Sequence, residues 1–156
     1  MFHIVLVEPE IPANTGNIGR LCVAADTTLH IVGRPGFHLD DRSVRRAGLD
    51  YWEHVRLERH DDLAAFEASH PHERLFCFSA HASELYTRID YRAGDALVFG
   101  SESRGLPPEV LARHAGRVFL IPIPTGKVRS LNLANAVGIV LYEALRQVQG
   151  WSADGR

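Results

Sequence analysis

The stretch Leu120–Gln147, LIPIPTGKVRSLNLANAVGIVLYEALRQ, leaves this chain the fewest options. It opens as a short apolar strand, breaks into a loop rich in Pro and Gly, and becomes a long helix opened by small polar residues. Leu133, Ala136, Val137, Val140, Leu141, Ala144, Leu145 and Val148 recur at the three-and-four spacing of one helix face. A second stripe, Asn132, Asn135, Ile139, Tyr142 and Arg146, lies on another face and is not the charged face of a solvated helix. A helix with two informative faces packs its own core on one side and something else on the other. The loop from Thr125 to Ser130 then sits against a helix N-terminus, where backbone N–H groups lack intrahelical partners. That geometry suits the carboxylate of a small-molecule cofactor.

Upstream, HIVLVE reads as a buried strand, PEIPANTG as a turn-rich loop and NTGNIGRLCVAAD as a helix with Leu21, Ala24 and Ala25 on its inner side. Leu29–Val32 is a second short strand, so a βαβ unit and a parallel sheet are expected. Asp61–Ser69 reads as a helix and Leu75–Ser79 as a buried strand, followed by a polar loop to about Asp90. Ala96–Phe99 is another strand, ended by Gly100; a helix starts at Pro107, and Val118–Ile121 is the last strand. The fold class expected is α/β, a parallel sheet flanked by helices, in one domain over residues 1–150 with a short tail at 151–156.

Composition narrows the function classes. The N-terminal apolar run is too short for a signal peptide, and no stretch reaches the roughly 20 apolar residues of a membrane span, so a cytoplasmic protein is expected. Cys22 and Cys77 lie in apolar runs without metal-like spacing and read as buried free thiols. There are 9 histidines but no HExxH or paired-Cys pattern; the nearest cluster, His70 and His72 around Pro71, reads as a surface turn, and no metal site is expected. A net charge of −2 argues against coating nucleic acid by bulk charge but leaves room for a local basic patch. Arg42, Arg45 and Arg46 are the densest basic group, either a solvated face or a phosphate-contacting patch.

Three loops follow strands: NTGNIGR, GSESRGLP after Phe99, and IPIPTGKVRSLN after Leu120. In an open parallel sheet ligands bind beyond the carboxyl ends of the strands, so the three loops are candidates for one convergent site. The common nucleotide signatures fail. Asn14 stands where GxGxxG needs its first glycine, and Gly126-Lys127 lacks both the earlier glycine and the following Ser or Thr of a P-loop. A hydrolase nucleophile elbow at Ser103 fails too, because Ser101 occupies the first glycine position.

In this order and spacing, NTGNIGRLC, LVFGSESRGLP and IP…RSLNLANAVGIVLYEALRQ resemble the SPOUT-type RNA methyltransferases over nearly the whole chain. RRAGLDYW and the lack of an added RNA-binding domain resemble their smallest subgroup, the tRNA (cytidine/uridine wobble) 2′-O-methyltransferases. The resemblance implies a C-terminal trefoil knot, a homodimer, S-adenosylmethionine as cofactor and tRNA as substrate. It implies a cofactor pocket of Phe78, Gly100, Ile121, Pro122, Ile123, Ser130 and Asn132, formed largely by backbone, with glycine allowing close approach to the ligand. Arg20 matches the family's motif-one arginine. Asn17 and Asn132 are positioners or helix caps, and Glu102 faces cofactor or substrate unless it forms a surface salt bridge. Asn135, Ile139 and Tyr142 become dimer-interface or RNA-edge residues, and Tyr142 is counted with the three arginines as RNA-binding.

Overall fold

The computed structural model describes residues 1–40, 42, 44, 51–71 and 73–151. Arg45, Arg46, His72 and the tail from 152 onward lie outside them. The strands are β1 (His3–Val7), β2 (Thr28–Val32), β3 (Leu57–His60), β4 (Leu75–Phe78), β5 (Glu84–Leu85), β6 (Ala96–Phe99) and β7 (Val118–Leu120). The helices are α1 (Pro12–Ala24), α2 (Leu63–Ser69), α3 (Pro108–Arg113) and α4 (Leu133–Gln149). All strand pairs are parallel, in the order β3-β2-β1-β6-β4-β7-β5. The expected α/β parallel sheet is therefore present. The inner strands are apolar on both faces, as a sheet covered by helices on both sides requires.

Period-two alternation divides the core. Ile4, Leu6, Leu29, Ile31, Leu97 and Phe99 face a cluster that includes Ile18 and Cys22 of α1 and Val137, Val140, Leu141 and Ala144 of α4. Val5, Val7, Val32, Cys77 and Val98 face Leu63 and Phe66 of α2. The α4 face expected to be apolar is buried at Leu133, Val137, Val140, Leu141, Ala144 and Leu145, while Asn135, Ile139, Tyr142 and Arg146 are exposed. Only Val148, at the fraying end, departs by being exposed.

Several local expectations need correction. α1 begins at Pro12, inside the segment expected to be a loop: proline is pre-set for a first turn, where its missing N–H costs nothing. Its inner residues are Ile18 and Cys22; Ala24 is exposed, and Leu21 and Ala25 are only half-buried. β3 was not expected, because LERH alternates around charged residues on an edge strand. β5 and a 3₁₀ turn at Tyr86–Arg88 interrupt the expected polar loop. Both cysteines are buried and free, and burial pushes each thiol up to about 12, which leaves them inert near neutral pH. Among the described residues no helix is long and apolar enough to cross a membrane.

The sheet's outer half also gathers histidines that sequence spacing hides. His3, His30, Glu58 and His60 alternate onto the α2 side of β1, β2 and β3, with His30 in register with Glu58 and Val32 with His60. His70, at the C-terminal cap of α2, stacks on Phe66 beside them. His30 is fully buried, and burial pushes its pKa down to about 3, so it is a neutral imidazole.

Candidate active site

A cavity of about 240 Å³ lies beyond the carboxyl ends of β4, β6 and β7 and is open to solvent. Phe78 and Phe99 end adjacent strands, and their rings stack at 4.9 Å as part of its lining. Ile121 and Ile123 enter from the segment after β7, and Ser130, Leu133 and Ala136 from the approach to α4 and its first turn. Pro122 is not among the lining residues. It is exposed between two half-buried isoleucines, as an extended backbone that turns alternate side chains inward requires. Beyond it a turn closes with the Gly126 N–H donating to the Ile123 carbonyl at 3.0 Å, Gly126 holding φ +61°.

Gly100 lines the cavity for a reason different from the expected one. A Cβ there would lie 2.0 Å from the Gly105 carbonyl carbon and 2.2 Å from the Leu106 nitrogen. The glycine is required by the chain's own return, not only by a ligand's approach. Residues 101–105 form a tight loop, with Gly105 N–H donating to the Ser101 carbonyl at 2.9 Å and Gly105 at φ +67°. Ser103, the candidate for a hydrolase nucleophile, donates its hydroxyl to Glu10 at 2.6 Å.

One polar chain joins the three motif segments. The Glu102 carboxylate accepts from the backbone N–H groups of Glu10 at 2.7 Å and Ile11 at 3.1 Å, just before α1, and from Asn14 Nδ2 at 3.3 Å. The Glu10 and Ile11 N–H groups lie at and just before the N-cap of α1, so this carboxylate also stands at the positive end of the helix. Asn14 Oδ1 in turn accepts from Asn132 Nδ2 at 3.0 Å, and Asn132 Oδ1 caps α4 by accepting from the Asn135 N–H at 3.2 Å. Asn132 is thus a cap and a link, outside the cavity lining, and Glu102 is bound by three donors rather than by a surface salt bridge.

Arg20 and Asn17 do not line this cavity. Both are exposed on α1, three residues apart and so on neighbouring positions of one helix face. The Arg20 guanidinium lies 5.6 Å from the centroid of the Tyr51 ring, whose hydroxyl donates to the Gly16 carbonyl at 3.2 Å. Gly19 gives that region its close packing, since a Cβ there would stand 2.8 Å from the Trp52 ring. Arg42 is exposed, and Tyr142 is 44 % exposed with its ring 6.1 Å from that of Trp151.

NTGNIGR does not line the cavity; a third loop, Ser79–His81 after β4, lines it with those after β6 and β7 and was missed. Its only signal is that LFCFS ends in a serine at a strand's carboxyl end. Nothing in the sequence shows that β4 is interior, between β6 and β7.

A parallel sheet whose carboxyl-end loops line one cleft, tied to a helix N-terminus by a polar chain through Glu102, Asn14 and Asn132, defines an α/β protein of the class that binds ligands at strand ends. Residues 1–142 match the SpoU rRNA Methylase family, and the chain belongs to that family. It is 48 % identical over 150 residues to the tRNA (cytidine(34)-2′-O)-methyltransferase of Escherichia coli K12, covering 95 % of this chain and 94 % of that one. A solved structure described as giving insights into the 2-OH methylation of C/U34 on tRNA superposes with a TM-score of 0.92 at 50 % identity, over 97 % of this chain and 98 % of the other. An AdoMet-bound rRNA methyltransferase from Sinorhizobium meliloti superposes at 0.82 with 31 % identity, over 93 % of this chain and 56 % of that one.

Proposed function

We propose that this chain transfers the methyl group of S-adenosylmethionine to the ribose 2′-hydroxyl of the wobble nucleotide of tRNA, a cytidine or uridine. The observation that carries the reading is the meeting of the three motif segments at one cavity through Glu102, Asn14 and Asn132, in a chain 48 % identical to a tRNA (cytidine(34)-2′-O)-methyltransferase. The lining fits the cofactor: Phe78, Ile121 and Ile123 offer an apolar wall for an adenine. Ser130 and the N-terminal end of α4 offer donors for a carboxylate. When bound, the cofactor supplies an electrophilic methyl group on a sulfonium.

Because charge is neutralised as the methyl moves, the protein's task is positioning more than holding an oxyanion. The difficult partner is the ribose hydroxyl. With a pKa of about 12 it lies about five units above neutral pH, a cost of roughly 7 kcal/mol at about 1.36 per unit. Glu102 is not the base in this reading, because its oxygens already accept three hydrogen bonds that hold the loop. Arg20 is not a base either, since a guanidinium has no acceptor and stays charged. Its exposed face, shared with Asn17, holds the developing alkoxide or an adjacent phosphate while the proton leaves to phosphate or water.

The same reading includes a homodimer, a cytoplasmic location with its tRNA, and the knot implied by the family resemblance. The α4 stripe supports the dimer: Ile139 and Tyr142 expose apolar surface along one side of the helix, and Trp151, whose ring is 6.1 Å from that of Tyr142, continues it just beyond the helix end. A second reading, methylation of ribosomal RNA, is favoured by the description of the family and by the Sinorhizobium relative.

The test is to incubate the protein with labelled cofactor and, separately, unmodified tRNA and ribosomal RNA, and to map ribose methylation. Methylation at tRNA position 34 is expected. Label in ribosomal RNA alone would select the second reading, and no transfer to either would overturn both.

A further inference from the structure

The histidines on the outer strands have no part in methyl transfer. His3 Nδ1 stands 2.9 Å from His30 Nε2, and His30 Nδ1 stands 3.0 Å from His60 Nε2. A hydrogen-bonded imidazole chain would account for those two distances. It does not account for Glu58. Its Oε2 lies 3.5 Å from His30 Nδ1, 3.8 Å from His60 Nε2 and 3.8 Å from His70 Nε2. One carboxylate oxygen thus faces three imidazole nitrogens just beyond hydrogen-bond length, the spacing of atoms arranged about a common cation. Zinc bonds of about 2.0–2.1 Å place tetrahedral ligand atoms roughly 3.4 Å apart.

We propose that Glu58 Oε2, His30 Nδ1 and His60 Nε2 form a binding site for a divalent transition-metal ion of the zinc type, with water completing its shell on the open side. The donor set, imidazole with one carboxylate, suits zinc and cobalt rather than magnesium or calcium, which take oxygen ligands. Outer-shell partners fix the tautomers this requires. If His30 Nε2–H donates to His3 Nδ1, then His30 Nδ1 keeps its lone pair for the metal, and the His3 Nε2–H is left facing Glu73 Oε1 at 3.7 Å. His70 stands beside the site rather than in it: its Nδ1 lies 2.9 Å from the Ser69 hydroxyl and 3.2 Å from the Phe66 carbonyl, and its Nε2 faces Glu58 at 3.8 Å. His30 is buried, but the Glu58 side chain is 51 % exposed, so an ion has a path in. The ion would clip β2 and β3 together, on strands that do not line the cofactor cavity.

The test uses the full-length chain without an affinity tag, stripped by a chelator and titrated with Co²⁺. One equivalent should bind with the intense visible bands of tetrahedral cobalt, be displaced by Zn²⁺ and raise the thermal midpoint. Glu58→Gln and His60→Asn introduce no added bulk, Glu58 is exposed and the nearly buried His60 is replaced by a smaller polar side chain, so circular dichroism should show both folded; each should weaken Co²⁺ binding at least tenfold. His3→Ala removes only an orienting group and should weaken it by roughly 10–100-fold while leaving the tetrahedral spectrum. The same variant removes the competing cluster of His3, His30 and His70, so surviving tetrahedral bands assign the ion to Glu58, His30 and His60. A parent that shows no tetrahedral bands overturns the site. So does an affinity that is unchanged in folded Glu58→Gln and His60→Asn.

Discussion

The two halves of the sheet put their functional groups to opposite uses. Beyond β4, β6 and β7 the cavity is shaped by backbone, glycine and apolar side chains, and the nearest carboxylate, Glu102, is wholly engaged in holding the loop. On β1, β2 and β3 the backbone is regular, and side chains do the work: four imidazoles and a carboxylate project from ordinary strand and helix-cap positions. In the first region the path of the chain is the specific element, so a change of shape should do most harm. In the second, side-chain identity is the specific element, and shape-preserving changes should be enough to abolish what the region does.

The largest effect expected at the cavity comes from Gly100→Ala. One methyl group would meet the backbone of Gly105 and Leu106, which cannot swing aside as a flexible side chain can. The variant should lose on the order of 3 kcal/mol in urea denaturation. Cofactor binding in calorimetry should disappear with it. If stability stayed at the parental value while only cofactor binding vanished, the glycine would serve the ligand alone, and the contrast between the regions would weaken.

Next comes Glu102→Gln, which keeps shape but turns one acceptor into a donor facing the N–H groups of Glu10, Ile11 and Asn14. Leaving one such group unsatisfied costs about 1–3 kcal/mol, so cofactor affinity should fall roughly 5–150-fold, with a lower thermal midpoint. A variant with parental affinity and stability but slower turnover would return Glu102 to the chemical step.

How much of this was legible differs between the halves for the same reason. The strands β1, β2, β4, β6 and β7 and the buried stripe of α4 follow from apolar pattern, because burial in a helix-covered sheet is written residue by residue. Two of the cavity's loops, after β6 and β7, were legible as Gly- and Pro-rich strand exits, while NTGNIGR lies in α1 and reaches the site only through Asn14. Pro122 and Asn132 lie outside the cavity lining because pointing inward depends on an alternation phase and a cap, which spacing alone does not set. The Ser79–His81 loop was missed because strand order is a tertiary fact. The histidines are the extreme case. His3, His30, His60 and His70 are far apart in sequence and meet only through the register of three parallel strands and a helix end. The sequence-adjacent His70 and His72 were the natural pair to consider, and His72 lies outside the described residues.

A smaller effect is expected away from both regions. Replacing Arg42, Arg45 and Arg46 with Ala should weaken tRNA binding and reduce the slope of log affinity against log salt by about 0.7–0.9 for each phosphate no longer neutralised. Cofactor affinity should not change. Filter binding at several salt concentrations reads this directly, and an unaltered slope would make the arginines a solvated face.

The smallest expected change, a return to about half of parental activity, tests how one active site is assembled. Arg20 is exposed on α1 and does not line the cavity that Gly100, Ile121 and Ser130 do. Within the proposed homodimer this arginine would serve the cofactor bound by the other copy. An Arg20→Ala dimer should then bind cofactor and transfer almost no methyl groups. Gly100 is a poor choice for the complementary lesion, since its replacement disturbs the loop itself. Ser130→Trp is better: Ser130 is exposed at the cavity's edge, so an indole can fill the opening without displacing core, and calorimetry should show no cofactor bound. A heterodimer of the two variants contains one site with both elements intact and one with both damaged, so about half of the parental rate should return. If Arg20 serves its own chain instead, each site keeps one lesion and no activity reappears. Purified heterodimers that bind tRNA normally yet remain inactive would sink the shared site while leaving the methyltransferase reading in place.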